Sequence, residues 1–338
     1  MEQISYSVII PTYNGSNRIA VTIESLVRQT ISPQEFEIIV VDDCSSDNTE
    51  ATVKKCQADF PNYSIEYIRQ ERNTGPAAAR NRGILKAAGH TIFFADDDCE
   101  LPATWMENHI KIYAARPEIA GVCGWYVPSR AILLREPCQS FFLLLYRYFT
   151  RGSLETYEGD NERARKRGVI FPFLNTGNFS GRKWMMLHIG GFNERFIAPG
   201  SEDAEFGDRI RDSRFLLYYL PQLIMHRKHM NLIGLIRVAK NRAMGRAVYR
   251  AVKLEQNRNL QYLGFSREWR EFRNFYKMRL LGSNPYHIPR SMVLISGVFF
   301  FIIESQISLW LFERKVKKRH RRNFRLIGLT EAALEKRA

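Results

Sequence analysis

The sequence predicts an α/β protein with a mostly parallel central sheet and helices on both faces. Two observations carry that reading. Short apolar runs suited to buried strands alternate with helix-like segments over residues 7–98. Polar clusters then close three of those runs, which is where ligands gather in open α/β sheets.

The first run, SVIIPT (7–12), reads as a buried strand that Pro11 stops abruptly. RIAVTIESLVRQT (18–30) spaces Ile19, Ile23, Leu26 and Val27 along one helical face. FEIIVVDD (36–43) is a second buried strand, and NTEATVKKCQADF (48–60) a helix with Asp47 or Asn48 as its N-cap. SIEYIRQ (64–70) is a short third strand. GPAAARNRGILKAA (75–88) is a helix with Pro76 in its first turn and Gly89 beyond its end. TIFFADDD (91–98) is a fourth strand.

Beyond residue 120 the alternation weakens. SFFLLLYRYF (140–149) reads as a core helix or as one near an acceptor or membrane surface, and GDNERARKRG (159–168) as a charged loop. From about 231 the chain reads as basic helices.

Charge divides the chain. Residues 227–338 hold 25 Lys/Arg against 7 Glu. That leaves 25 Lys/Arg and 28 Asp/Glu of the total 50 and 35 for residues 1–226. The basic character belongs to the tail, which therefore meets something acidic. Within it, MVLISGVFFFIIESQISLWLF (292–312) is long enough to span a bilayer, but Glu304 and Gln306 interrupt it. An interfacial helix beside ERKVKKRHRR (313–322) fits at least as well, on an anionic membrane surface. The 5 cysteines are scattered, with neither a disulfide framework nor a zinc pattern. No leader is read at the N-terminus. The expected location is the cytoplasm, at the inner face of the cell membrane.

The three closing clusters are PTYN, DDCSSD and DDDC. In the last, Asp96, Asp97 and Asp98 repel one another unless something offsets their charge. Hard cations such as Mg²⁺ or Mn²⁺ take oxygen ligands, usually one or two carboxylates plus substrate phosphates. No G-x-x-x-x-G-K-[ST] is present, and no G-x-G-x-x-G follows the first strand, so P-loop and dinucleotide folds are disfavoured. A further acidic pair, Glu202–Asp203, opens a helix-like segment. It reads either as a helix cap or as a general base.

These stretches resemble the family 2 inverting glycosyltransferases, which have the GT-A nucleotide-sugar fold. The matching segments run in order over about residues 5–230. They are SVIIPTYNGSNRIAVTIESLVRQT, EIIVVDDCSSDNT, NTGPAAARNRGILKAAGHTIFFADDDCELPATW, NTGNFSGRKWMMLHIGGFNERF and SEDAEFGDRI. The resemblance implies a nucleotide-sugar-binding half (1–120), an acceptor-binding half with the base (121–230) and a basic C-terminal region (231–338).

It also implies roles. Pro11, Thr12, Tyr13 and Asn14 line the nucleobase and ribose. Asp43, with Asp42 beside it, bonds the base. Arg80 approaches the nucleotide-sugar, as do Asp96 and Asp97, with Asp97 expected to do little beyond shaping its turn. Asp98 leads the metal ligands, with Asp96 and His226. Asp203 is the catalytic base. Glu202, Asn178, Gly190, Gly191 and Phe192 lie at the acceptor site.

The implied donor is a nucleoside diphosphate sugar, of UDP by family preference. The implied acceptor is a hydroxyl of a glycan or lipid-linked molecule. A nucleotidyltransferase would use similar carboxylates but release pyrophosphate. A scaffolding relative without activity would not need Asp98 and Asp203. A nucleic-acid binder would interleave its basic residues with aromatics on a recognisable motif, which the tail lacks, so nucleic acid is not an expected partner.

Overall fold

The computed structural model describes residues 4–128, 174–226 and isolated positions between 241 and 255. Two compact units divide the chain, Met1–Asn231 and Leu232–Ala338. The expected helix at 140–149, the loop at 159–168 and the segment 292–312 lie outside the described residues. No helix among the described residues is long and apolar enough to cross a membrane.

The first unit alternates strand and helix: β1 (Tyr6–Thr12), α1 (Ile19–Leu26), β2 (Phe36–Asp42), α2 (Thr49–Asp59), β3 (Ser64–Arg69), α3 (Pro76–Lys86) and β4 (Thr91–Phe94). Then come β5 (Cys99–Glu100), α4 (Trp105–Ala115), β6 (Ile119–Pro128), β7 (Phe179–Arg182), α5 (Lys183–His188), α6 (Glu202–Asp212) and β8 (Leu216–His226).

All eight strands form one sheet in the order β3-β2-β1-β4-β7-β6-β8-β5. β1 to β4 are parallel to one another, and β6 is parallel to β8. β7 runs antiparallel to both β4 and β6, and β5 antiparallel to β8. The two halves expected on either side of residue 120 therefore share this one sheet.

The strand order places the site. From β1 the chain steps outward through β2 to β3, then returns to lay β4 on the other side of β1. The sheet reverses its winding between β1 and β4, and a crevice opens beyond their carboxyl ends at such a point.

Contiguous apolar strands need cover on both faces. Val8 and Ile10 of β1 are fully buried in a cluster with Ile19, Ile23 and Leu26 of α1. Each such side chain contributes about 1.5–3 kcal/mol by leaving water. Ile9 points the other way, towards α3. A Cβ on Gly83 of α3 would come within 2.5 Å of the Ile9 side chain, so the glycine sets how closely this helix seats.

Two boundaries differ from the sequence reading, and the N-cap of α2 falls where it was expected. α1 ends at Leu26, and Val27 only closes its last turn through an N–H to the Ile23 carbonyl. Asn48 stands at the N-cap of α2 without a side-chain bond, while the Asp47 carboxylate accepts the Thr49 N–H at 3.1 Å. β4 stops at Phe94, so Asp96–Asp98 occupy a turn and not a strand end. A pleated strand would send neighbouring carboxylates to opposite faces, whereas a turn can aim each one separately.

Candidate active site

The loops after β1 and β2 are laced together by backbone donors. Asn14 takes a left-handed conformation (φ 50°), which asparagine tolerates. Its N–H donates to Ser45 Oγ at 2.8 Å, and its Oδ1 accepts the Ser46 N–H at 2.8 Å. Gly15 N–H donates to Thr49 Oγ1 at 2.8 Å. Pro11 and Thr12 end β1, and Tyr13 beyond them is 47% exposed, leaving its ring open to a ligand.

Asp42 and Asp43 are both buried. Asp42 Oδ1 accepts from Ser45 N–H (2.9 Å), and its Oδ2 from the Tyr67 hydroxyl (2.5 Å). Burial and that anionic partner push the Tyr67 phenol above its usual range. Asp43 Oδ1 accepts from Thr74 N–H and Oδ2 from Gly75 N–H, both at 2.8 Å. Asp43 thus fixes the turn that launches α3, and Asp42 fixes the loop after β2.

The three aspartates of the acidic turn have three different surroundings. Asp97 is gripped by Arg18, whose Nε reaches Oδ1 at 2.7 Å and whose NH2 reaches Oδ2 at 2.9 Å. Thr12 Oγ1 donates to the same Oδ2 at 2.6 Å. Burial pushes the Asp97 carboxyl up, and the Arg18 guanidinium pulls against it.

Asp96 is the most open of the three and meets Arg80 NH2 at 3.3 Å. Asp96, Asp98 and Cys99 each offer a ligand atom, all within 4.8 Å of one another. Burial, reinforced by Asp98 and Asp96, pushes the Cys99 thiol well above its usual value. Cys99 therefore stays neutral beside two carboxylates. The backbone of His226, at the end of β8, pairs with Cys99. The strand thus brings His226 to the acidic turn, although its side chain lies outside the description.

Arg80 on α3 is 4% exposed and joins two regions. NH1 lies 3.1 Å from Glu202 Oε1, while NH2 holds Asp96, and the guanidinium sits 5.5 Å over the Phe192 ring. Arg80 therefore stands between two carboxylates that it neutralises. Glu202 is buried too, and its Oε2 accepts the Gly200 N–H at 2.6 Å. Asp203, half-buried, follows in the first turn of α6, where the helix dipole favours an anion. Its charge adds to burial in pushing the Cys123 thiol on β6 up to about 12.

Two of the remaining acceptor-side candidates, Asn178 and Phe192, lie behind this surface. Asn178 is fully buried, with Oδ1 accepting the Trp105 indole N–H at 2.8 Å. Phe192 is 2% exposed and stacks on Phe206 with ring centroids 4.0 Å apart. Asn81 accepts the Phe192 N–H, and Gly190 and Gly191 take positive φ values of 77° and 66° to make that corner. Asn178 and Phe192 support the site from within the core, where an acceptor would not touch them.

The structure thus gathers Thr12, Tyr13, Asn14, Asp96 and Asp98 at one edge, and Arg80 ties Glu202 to Asp96. Sequence reasoning missed Arg18 and Gly15. Gly15 had a visible signal in the PTYNG turn. A Cβ there would lie 2.3 Å from Thr12 Oγ1 and 2.7 Å from Asp97 Oδ2. Arg18 had none, standing unremarked at the start of a helix.

The comparisons with known proteins agree with this geometry. The family model described as "Glycosyl transferase family 2" matches residues 7–182. An uncharacterized glycosyltransferase of Haemophilus influenzae is 34% identical over 191 residues, covering 55% of this chain and 56% of that protein. The chondroitin synthase of Escherichia coli is 25% identical over 221 residues, covering 60% of this chain and 32% of that protein. The chain therefore spans about half or less of the length of these relatives.

Among solved structures, the mannosyltransferase PcManGT of Pyrobaculum calidifontis, in complex with GDP-Man and Mn²⁺, superposes with a TM-score of 0.61 at 17% identity. The match covers 92% of this chain and 88% of that one. At that identity the likeness concerns the fold, which is the GT-A arrangement. With more than half of its length matched, the chain belongs to glycosyl transferase family 2.

Proposed function

We propose that this chain transfers a sugar, with inversion, from a nucleoside diphosphate sugar to an acceptor hydroxyl. The donor is a UDP-sugar on the family resemblance. The acceptor is a cell-surface glycan or lipid-linked molecule. The observation that carries the reading is the Asp96–Arg80–Glu202 chain, which ties the acidic turn to the helix bearing Asp203.

The residues of the turn fit a divalent cation. Two carboxylates within 4.8 Å of each other match the one or two that Mg²⁺ or Mn²⁺ takes beside substrate phosphates. Asp98 and Asp96 would hold it, with His226 as the third candidate. When bound, such an ion neutralises a diphosphate and eases its departure.

The protein's own part begins with Tyr13 and Asn14, which lie where a base and ribose would rest beyond β1. Arg80 keeps Asp96 and Glu202 in fixed positions and lets two anions approach each other. Asp203 accepts the proton of the acceptor hydroxyl as its oxygen attacks the anomeric carbon. The bond from that carbon to the diphosphate breaks on the opposite face, taking the electron pair with it. Configuration inverts in one displacement. Fixed charges and fixed positions supply most of the acceleration. The region 231–338 is proposed to rest on an anionic membrane surface, supported by its excess of Lys/Arg over Glu.

The test is Asp203→Asn. This variant should bind nucleotide as the wild type does and transfer no sugar. Transfer at near wild-type rate would remove Asp203 from the role of base.

A further inference from the structure

We propose that Arg18 is a positioning residue of the nucleotide site, an inference that rests on the sugar-transfer reading above. Its guanidinium makes four hydrogen bonds to three residues. Nε and NH2 take both oxygens of Asp97 at 2.7 and 2.9 Å. NH1 donates to the Asn14 carbonyl at 2.9 Å, and NH2 to the Tyr13 carbonyl at 3.0 Å. One planar group thus joins the loop after β1 to the turn after β4, across the winding reversal of the sheet.

Two consequences follow from that geometry. First, both oxygens of Asp97 are engaged. Its oxygens are committed to Arg18 and Thr12, while Asp96, Asp98 and Cys99 form the compact ligand group. Three consecutive carboxylates are thereby sorted into one that anchors and two that can meet a cation. Second, the exposed Tyr13 ring and the left-handed Asn14 are held from behind through their own carbonyls. A lysine in place of Arg18 would keep the charge but lose the planar fork that makes several bonds at once. Gly15 completes the arrangement, because any larger residue would collide with the Thr12–Asp97 bond.

The experiment uses the full chain with Arg18→Met, Arg18→Lys and Arg18→Met/Asp97→Asn. Two quantities are read: thermal melting of the ligand-free protein, and binding of UDP and of GDP in the presence of Mn²⁺ by calorimetry. Arg18→Met should melt earlier, because Asp97 loses its counter-charge, and should bind nucleotide about tenfold or more weakly. The double variant should recover most of the melting temperature, since the buried anion is gone. It should not recover the affinity, since the Tyr13 and Asn14 carbonyls remain untethered. Arg18→Lys should fall between, and serves if Arg18→Met does not fold.

Nucleotide affinity within twofold of wild type in Arg18→Met or Arg18→Lys would overturn the inference. So would affinity that returns together with melting in the double variant, which would make Arg18 purely a stabiliser. A wild-type chain that binds neither UDP nor GDP would instead sink the sugar-transfer reading, and this inference with it.

Discussion

Replacing Arg80 by methionine strips a shared cation from two carboxylates at the centre of the site. The Arg80 and Glu202 side chains are 5% and 6% exposed and lie 3.1 Å apart. Removing one partner of a buried pair leaves the other charged and unpaired, at a cost of about 3–5 kcal/mol. Asp96 is 30% exposed, so losing its 3.3 Å contact adds about 1 kcal/mol at most. The guanidinium over Phe192 adds about 0.5–1 kcal/mol. The sum is about 3.5–7 kcal/mol, or roughly 10–25 °C in melting temperature for a body of this size. Urea unfolding read by tryptophan fluorescence gives the free energy directly. Arg80→Met/Glu202→Gln removes the stranded charge and should recover at least half of the loss. A cost below about 1 kcal/mol for Arg80→Met, or a double variant as unstable as the single one, would refute the buried ion-pair account.

Further outcomes are expected. His109 is fully buried among Phe93 and Trp105, and burial holds its imidazole down at about 3. The unfolded chain takes up that proton near pH 6.5, so stability is full above this value and falls as the pH drops towards 3, by up to about 1.4 kcal/mol per pH unit. His109→Gln should flatten the stability profile between pH 6 and 5, and an unchanged slope would contradict this assignment. Chelation by EDTA should abolish transfer until Mn²⁺ or Mg²⁺ is restored, and Asp98→Asn should not respond to either ion. Activity that persists after chelation would remove the metal from the account. The full chain should sediment with phosphatidylglycerol vesicles at low salt and come off at about 0.5 M salt, where the screening length falls to a few ångströms. Failure to sediment at low salt would end the membrane-surface proposal.

Much of this architecture was legible in the sequence because its signals are local. The runs that became β1, β2 and β4 are apolar over adjacent residues, and polar residues follow each of them. The parallel α/β order needed nothing more. Pairings between distant residues were not legible. Arg18 meets Asp97 across 79 positions, and Arg80 meets Glu202 across 122. Neither separation leaves a periodic trace. Asn178 was placed at the acceptor site through the resemblance alone, whereas in the structure it is buried and accepts the Trp105 indole N–H. The acidic triplet was read at a strand end, with a different role for each aspartate but with no partner in sight for Asp97. Its turn lets Thr12 and Arg18 capture the middle aspartate and leaves Asp96 and Asp98 beside Cys99.

The most direct test of sugar transfer follows phosphorus by NMR while the chain is incubated with Mn²⁺, a panel of nucleotide-sugars and membrane or glycan acceptors. The account predicts that one donor yields a nucleoside diphosphate with no pyrophosphate, and that Asp203→Asn yields none. Release of pyrophosphate would instead identify a nucleotidyltransferase. An equal rate in Asp203→Asn would contradict the proposed base.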